Sequence, residues 1–170
     1  MSKKIIKYLF AFVAIFSIVA CSVKYSFTGA SIAPEIKTVS ILPFTNIAPM
    51  VAPILAPTIT SELQDKFSRS TSLVPLDKGG DMAFTGVITN YTSTPTAVTS
   101  NEYASQNRLT ITVKVKFTNK FQPKMSFDKS FSAYLDYDNT QLLQQVEGTL
   151  IPDIVDQIVE DIFNASASNW

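Results

Sequence analysis

The chain has 170 residues, with 14 acidic and 14 basic side chains and no histidine. This length predicts one domain, and zero net charge with only two arginines argues against a nucleic-acid partner, which requires clustered basic residues. The lack of histidine excludes Ser-His-Asp and Cys-His catalysis and most zinc sites, so we expect neither a metal nor a cofactor.

The first 20 residues have the pattern of a secretory signal peptide. Lysines at positions 3, 4 and 7 precede an uncharged, mostly apolar run over residues 8–18, which is shorter than the roughly 20 residues that span a bilayer. The run ends in Ile18-Val19-Ala20-Cys21, which resembles the lipobox of bacterial lipoproteins. We therefore expect lipidation of Cys21; the alternative is a buried cysteine behind an ordinary signal peptide.

The residues after Cys21 predict where the lipidated chain resides. Ser22 rather than an aspartate follows the cysteine, which by the usual sorting logic of lipoproteins favours the outer membrane. No acidic run follows, which favours the periplasmic leaflet over display on the cell surface. We expect residues 1–20 to form the signal peptide, residues 21–36 a lipidated tether and residues 37–170 a single α+β domain.

The first half of this domain has the pattern of a βαβ unit. Residues 37–44 alternate in the manner of a strand, and a connection rich in proline and alanine follows over residues 45–56. Pro57 is suited to the first position of a helix. That helix carries one apolar stripe: Ile59, Leu63 and Phe67. A short strand over residues 73–76 is expected to lie parallel to the first, through a right-handed crossover.

Residues 108–120 form the most regular stretch of the chain. Apolar residues occupy one parity and mostly threonines or lysines the other, which predicts a strand with one face on the core and one in solvent. Residues 125–137 alternate similarly, so the two strands are expected to pair as an antiparallel hairpin. A strand over residues 82–93, interrupted by Gly86, and a long loop over residues 94–106 are expected before them.

Residues 141–163 are predicted to be helical with a break at Gly148-Thr149, which places Pro152 in the first turn of the second segment. The fold class that follows is two-layer α+β, with two helices packed on one face of a four- to five-stranded mixed sheet. The other face would remain in solvent and carry the polar residues of the regular strand: Thr110, Thr112, Lys114 and Lys116.

Several short motifs accompany these elements. They are YSFTGASI (residues 25–32), GGD (79–81), RLTITVKV (108–115), FSAY (131–134), IFNA (162–165) and the final NW (169–170). In this order, behind the lipobox, they resemble the lipopolysaccharide-assembly lipoprotein LptE family in its Bacteroidota form, over nearly the whole chain.

The resemblance implies a non-enzymatic role. LptE proteins lie on the periplasmic side of the outer membrane, plug the LptD β-barrel, help it to assemble and have been proposed to bind lipopolysaccharide. For this chain it implies that the open sheet face and the loops at 45–56 and 94–106 contact the barrel wall. Only Cys21 carries over as a functional residue of the family.

Three basic residues are candidates for contact with lipopolysaccharide phosphates or with the partner: Arg108, Lys114 and Lys116. The competing interpretation is that they form the solvated side of a strand. Two other functions remain open. One is a pilot lipoprotein for another outer-membrane complex, such as a secretin. The other is a hydrolase that uses Asp136 and Asp138, which share a parity near a strand end.

Overall fold

The computed structural model describes residues 32–50, 52–96 and 106–167. The predicted signal peptide, Cys21 and most of the tether therefore lie outside the described residues, as do positions 97–105 and the C-terminal Asn169-Trp170. The described elements, in chain order, are β1 (Thr38–Ile41), β2 (Thr45–Asn46), α1 (Leu55–Ser70), β3 (Val74–Leu76), β4 (Met82–Pro95), β5 (Gln106–Asn119), a 3-10 turn (Pro123–Met125), β6 (Phe127–Asp138) and α2 (Leu143–Ala167).

The strands form one mixed sheet in the order β3-β1-β4-β5-β6, with β2 also paired to β4. β1 lies parallel to β3 and to β4, whereas β4 with β5 and β5 with β6 are antiparallel. The predicted hairpin and the predicted parallel pair are both confirmed. Both helices cover one face of the sheet, so the predicted two-layer α+β fold is confirmed as well.

β5 supplies the centre of the core, as its alternation predicts. Its five inward residues are at most 1% exposed: Leu109, Ile111, Val113, Val115 and Phe117. The apolar stripe of α1 is equally buried, and the ring of its Phe67 lies 5.1 Å from that of Phe163 on α2. The two helices also share an ion pair between Lys66 and Glu160.

The Gly79-Gly80-Asp81 turn carries the chain from β3 to β4 across β1, since both strands pair with β1. Gly79 has φ +75°, and a Cβ on Gly80 would lie 2.6 Å from the backbone nitrogen of Ser40, so this crossing requires glycine. Asp81 then accepts hydrogen bonds from the amides of Lys37 and Thr38 at 3.0 and 3.1 Å. These bonds lower the pKa of its carboxyl group.

β4 continues through Gly86 without the predicted interruption. Gly86 pairs with Val115 on β5, and a Cβ at this position would overlap the ring of Phe44. The glycine therefore makes room for an aromatic side chain from the β1–β2 connection and does not break the strand.

A β-bulge at Thr89 reverses the alternation of β4. The register passes from Ile88 opposite Val113 to Asn90 opposite Thr112, which leaves Thr89 as the extra residue. Tyr91 thereby turns inward and is 1% exposed. Its hydroxyl donates a hydrogen bond of 2.6 Å to Glu147 of α2.

The start of α1 and the continuity of α2 differ from the sequence prediction. α1 begins at Leu55, so Pro57 lies within its first turn instead of at its first position. α2 runs unbroken through Gly148-Thr149 and includes Pro152, so the predicted break is wrong. The long buried face that follows, from Ile151 to Ala167, gives packing energy that outweighs the poor helix propensity of these residues.

Candidate functional site on the outer face of the sheet

The face of the sheet away from the helices is called the outer face here. Register pairs place Thr85 and Asp128 on either side of Lys116, and Thr92 and Tyr134 on either side of Thr110. The predicted polar row of β5 lies on this face and is partly or fully exposed: Arg108, Thr110, Thr112, Lys114 and Lys116. The outer face thus combines hydroxyl groups with a few charges and one large aromatic ring.

Arg108 is held in place by two neighbours on β6. Its Nε and Nη2 donate to the two carboxylate oxygens of Asp136, at 2.7 and 2.9 Å, and its guanidinium lies 3.8 Å from the ring centre of Tyr134. The hydrogen bonds raise the pKa of Arg108 and lower that of Asp136. Because the bidentate edge of the guanidinium is occupied, Arg108 presents to an incoming anion only its remaining donors.

The two lysines of β5 are less constrained. Lys114 Nζ lies 3.4 Å from Asp128, and both side chains are about half exposed, a geometry that contributes little stability. Lys116 is exposed, and within the described ranges it has no ion pair shorter than 4.0 Å. The outer face therefore offers two exposed ammonium groups on the same face of one strand, two residues apart.

The carboxylates of the hydrolase hypothesis are both committed to local hydrogen bonds. Asp136 binds Arg108, and Asp138 accepts from the backbone amide and the hydroxyl of Thr140 at 2.8 and 2.6 Å. The hydrogen bonds lower the pKa of both groups. A general acid at neutral pH needs a raised pKa instead, so this pair lacks the electrostatics of a two-carboxylate active site.

A second exposed surface lies on the connection between β2 and α1, which corresponds to the predicted loop at 45–56. The side chains of Ile47, Met50 and Ile54 are 69%, 46% and 48% exposed. The sequence has no charged residue between Lys37 and Glu62. Exposed apolar residues grouped in this way are typical of interaction surfaces. A groove of about 610 Å³, which none of these three residues lines, lies between α1 and the β1–β3 edge.

The contacts of Arg108 with Asp136 and Tyr134 were not foreseen from sequence. Their only sequence signal is an arginine on one predicted strand and an acid and an aromatic residue at the end of the next. The pairing of those residues depends on the register of the hairpin, which sequence patterns predict poorly when the turn is irregular.

Two further observations concern membranes and metals. Among the described residues, neither helix combines the length and apolarity that a membrane span requires. Over the same ranges, no cluster of three or more acidic, cysteine or histidine side chains is arranged to hold a metal ion.

Several solved structures resemble the chain. A Xanthomonas campestris protein has a TM-score of 0.53 at 8% identity, covering 76% of this chain and 86% of its own. The minor lipoprotein of Acinetobacter baumannii has a TM-score of 0.47 at 16% identity, covering 77% and 96%, and the lipoprotein GNA1162 of Neisseria meningitidis 0.40 at 14%, covering 73% and 99%. At these identities the likeness concerns the fold alone. No curated protein matches the chain.

A family model described as "LptE: Lipopolysaccharide-assembly" matches residues 36–166. The match extends from just before β1 to the penultimate residue of α2 and therefore includes the outer face and the exposed apolar loop. The family comprises non-enzymatic lipoproteins associated with the outer membrane. The protein belongs to the LptE family of lipopolysaccharide-assembly proteins.

Proposed function

We propose that this protein is a lipoprotein anchored through Cys21 in the periplasmic leaflet of the outer membrane. There it acts as the plug and assembly partner of an LptD-type β-barrel in lipopolysaccharide transport. The observation that carries this proposal is the family match over residues 36–166. A catalytic role is not part of it, and neither a metal nor a cofactor is invoked.

Two surfaces support a role as a plug. The outer face is a polar, partly exposed sheet surface, on which Thr112 and Ser132 hydrogen-bond to each other at 2.9 Å, and a polar surface of this kind suits contact with the wall of a hydrated barrel. The loop around Ile47, Met50 and Ile54 adds exposed apolar side chains within a stretch that has no charged residue from position 38 to position 61, and burial of such side chains by a partner is favourable. We assign the polar face and this apolar loop to contact with the barrel.

Lys114 and Lys116 are the proposed contacts for the phosphates of lipopolysaccharide. Both are exposed, and an ammonium group on a flexible stem binds phosphate as a point charge. Arg108 contributes less directly, since Asp136 already occupies its bidentate edge. Its role in this proposal is to fix Tyr134 and the end of the outer face beside the lysines.

Depletion of the lipoprotein from its source bacterium tests the assembly role. The amount of folded barrel, measured by its heat-modifiable migration in gels, is expected to fall and to be restored by the wild-type gene. An Ile47→Asp variant should restore it poorly, because a charge would enter the apolar contact. Leu142→Asp is the matched control, since Leu142 is 65% exposed like Ile47 but lies just before α2 and not in the apolar loop.

An unchanged level of folded barrel after depletion would contradict the assembly role. Equal rescue by Ile47→Asp and Leu142→Asp would remove the apolar loop from the interface and leave the assembly role standing. If depletion lowered the amount of an assembled secretin and left the folded barrel unchanged, and the wild-type gene restored the secretin, the result would point to the pilot function.

A further inference from the structure

The turn between β5 and β6 presents an aromatic side chain to solvent. Phe121 is 47% exposed, although the aromatic residues that flank the turn, Phe117 and Phe127, lie in the core or pack against it. Single exposed apolar residues are common on protein surfaces. The surroundings of Phe121 therefore determine whether it marks a binding surface.

Side-chain hydrogen bonds hold this turn in a defined shape. Asn119 is buried, and its Oδ1 accepts from the amides of Phe121 and Gln122 at 3.1 and 2.9 Å. Ser126 Oγ accepts from the amide of Asn119 at 2.9 Å. Because these bonds tie both sides of the turn together, the exposure of Phe121 is a consequence of the fold.

Three exposed lysines lie at the same end of the sheet. Lys120 and Lys124 belong to the turn itself, and Lys120 Nζ is 5.8 Å from the centre of the Phe121 ring. Asp81 brings Lys37 to the same place, since its carboxylate accepts from the amide of Lys37 at 3.0 Å and its carbonyl accepts from the amide of Lys120 at 2.9 Å. We call these three lysines and Phe121 the basic end of the sheet.

Few acidic groups oppose this charge. No acidic residue occurs in the sequence between Glu102 and Asp128. The carboxylate of Asp81 already accepts from two backbone amides, and Glu35 is exposed just before β1. Within the described ranges, none of the three lysines forms an ion pair shorter than 4.0 Å. Their ammonium groups are therefore available to an anionic partner.

An exposed aromatic ring with ammonium groups beside it is complementary to the surface of an anionic bilayer. Such a ring enters the headgroup region, and lysines keep their ammonium groups at the level of the lipid phosphates. We propose that the basic end docks on an anionic phospholipid bilayer, with Phe121 among the headgroups and the three lysines on their phosphates.

The path of the chain favours a bilayer as the occupant of this surface. Lys37 directly precedes β1, so the chain enters the sheet from the basic end. Cys21 lies before Ile32, the first described residue, by a length of chain that extends to at most about 40 Å. A lipid on Cys21 would therefore keep the basic end within that distance of the membrane.

This last step rests on the lipid anchor of the proposed function, whereas the complementarity of the basic end does not. The experiment therefore uses a chain without a lipid and vesicles without a barrel. Absence of a barrel partner, or of a lipid on Cys21, would contradict the proposed function and would leave the outcome of the vesicle experiment unaffected.

Tryptophan fluorescence on vesicles of phosphatidylethanolamine and phosphatidylglycerol tests the proposal. The mature chain with Cys21→Ser and Trp170→Phe carries neither a lipid nor its single native tryptophan. Phe121→Trp places a reporter at the basic end. Leu142→Trp is the matched control, because Leu142 is also exposed, at 65%, but lies beyond the other end of β6.

The tryptophan at position 121 should shift its emission to shorter wavelength and be quenched by brominated lipid, whereas the tryptophan at position 142 should show neither change. Lys37→Gln with Lys120→Gln should weaken vesicle binding, measured by flotation, roughly tenfold or more, since each lysine at an anionic surface strengthens binding about fivefold. Added salt should weaken the binding as well.

Unchanged emission at position 121 would overturn the proposal. Equal changes at positions 121 and 142 would also overturn it, because the domain would then adsorb without a preferred end. Equal binding to vesicles of phosphatidylcholine alone would exclude an anionic phospholipid as the partner. A response at position 121 that appears only after lipopolysaccharide is added would assign the basic end to that ligand and would likewise refute the phospholipid contact.

Discussion

The ring of Phe44 occupies the space that a side chain at position 86 would need. This contact packs the β1–β2 connection against β4. Gly148 on α2 has a different role, since a Cβ there would meet nothing within 4 Å. Alanine substitutions at the two glycines therefore separate an effect on side-chain packing, at position 86, from an effect on helix propensity, at position 148.

Gly86→Ala is expected to lower the free energy of unfolding by about 1–3 kcal/mol, because the added methyl group forces the Phe44 ring out of place. Urea denaturation measures the loss. The same substitution in a Phe44→Ala background should cost much less, since the two residues contact each other. Gly148→Ala, the control, should raise stability by roughly 0.5–1 kcal/mol. Additive effects at positions 44 and 86 would contradict the packing argument.

Tyr91 joins the bulged part of β4 to the first half of α2 through its bond to Glu147. Burial, and then the hydrogen bond to Glu147, raise the pKa of the phenol. An unfolded tyrosine ionises near pH 10. The folded state therefore holds its proton where the unfolded state releases it, and stability should fall as the pH rises above about 10.

Tyr91→Phe should cost about 1–2 kcal/mol at neutral pH, because Glu147 loses a donor. Above about pH 10 the variant should lose stability less steeply than the wild type, by up to about 1.4 kcal/mol per pH unit. Chemical denaturation at several pH values measures both effects. Tyr134→Phe is the control, since it removes the hydroxyl of a tyrosine that is 51% exposed instead of buried. Parallel pH profiles for wild type and Tyr91→Phe would contradict the account.

At the scale of elements, strict alternation and apolar stripes were sufficient to predict β5, β6 and α1. The same patterns gave wrong predictions where tertiary packing determines the local backbone structure. The bulge at Thr89 has no sequence signature. It turns Tyr91 towards Glu147 on α2, which is 56 residues away in the sequence, and local patterns do not report so distant a contact. The continuity of α2 through Gly148 and Pro152 likewise depends on the buried face that follows, which local propensity does not register.

Pro152→Ala should stabilise the protein, by about 1–3 kcal/mol, because the new amide can donate to the carbonyl of Gly148 and the exposed proline ring is removed. Thermal unfolding should show a higher Tm. A lower Tm would mean that the proline fixes a bend on which the packing of α2 depends.

At the scale of the whole molecule, the sequence was informative about the two-layer architecture and the position of the outer face. It was less informative about the site, because the pairing register of the strands determines which basic side chains have an acidic neighbour. Arg108 is engaged by Asp136, Lys114 is loosely paired with Asp128, and Lys116 is exposed. The apolar loop at Ile47 was predicted only as an irregular connection, since exposure of its side chains cannot be derived from composition.

Reversal of both lysines, Lys114→Glu with Lys116→Glu, should weaken binding of purified lipopolysaccharide roughly tenfold or more at low salt, with a smaller effect at high salt. Lys124→Glu with Lys129→Glu is the control, since it changes net charge equally and Lys129 lies on the helix side of β6. Equal losses in the two double variants would indicate a general charge effect. Unchanged binding in the first would remove the phosphate contact.

The central claim is that this lipoprotein pairs with an LptD-type barrel. The most direct measurement is purification of the tagged, lipidated protein from its native outer membrane in mild detergent, with quantitative mass spectrometry of the proteins that accompany it. We expect a large LptD-type barrel in near-equal amount. A secretin in that position, or no barrel at all, would contradict it.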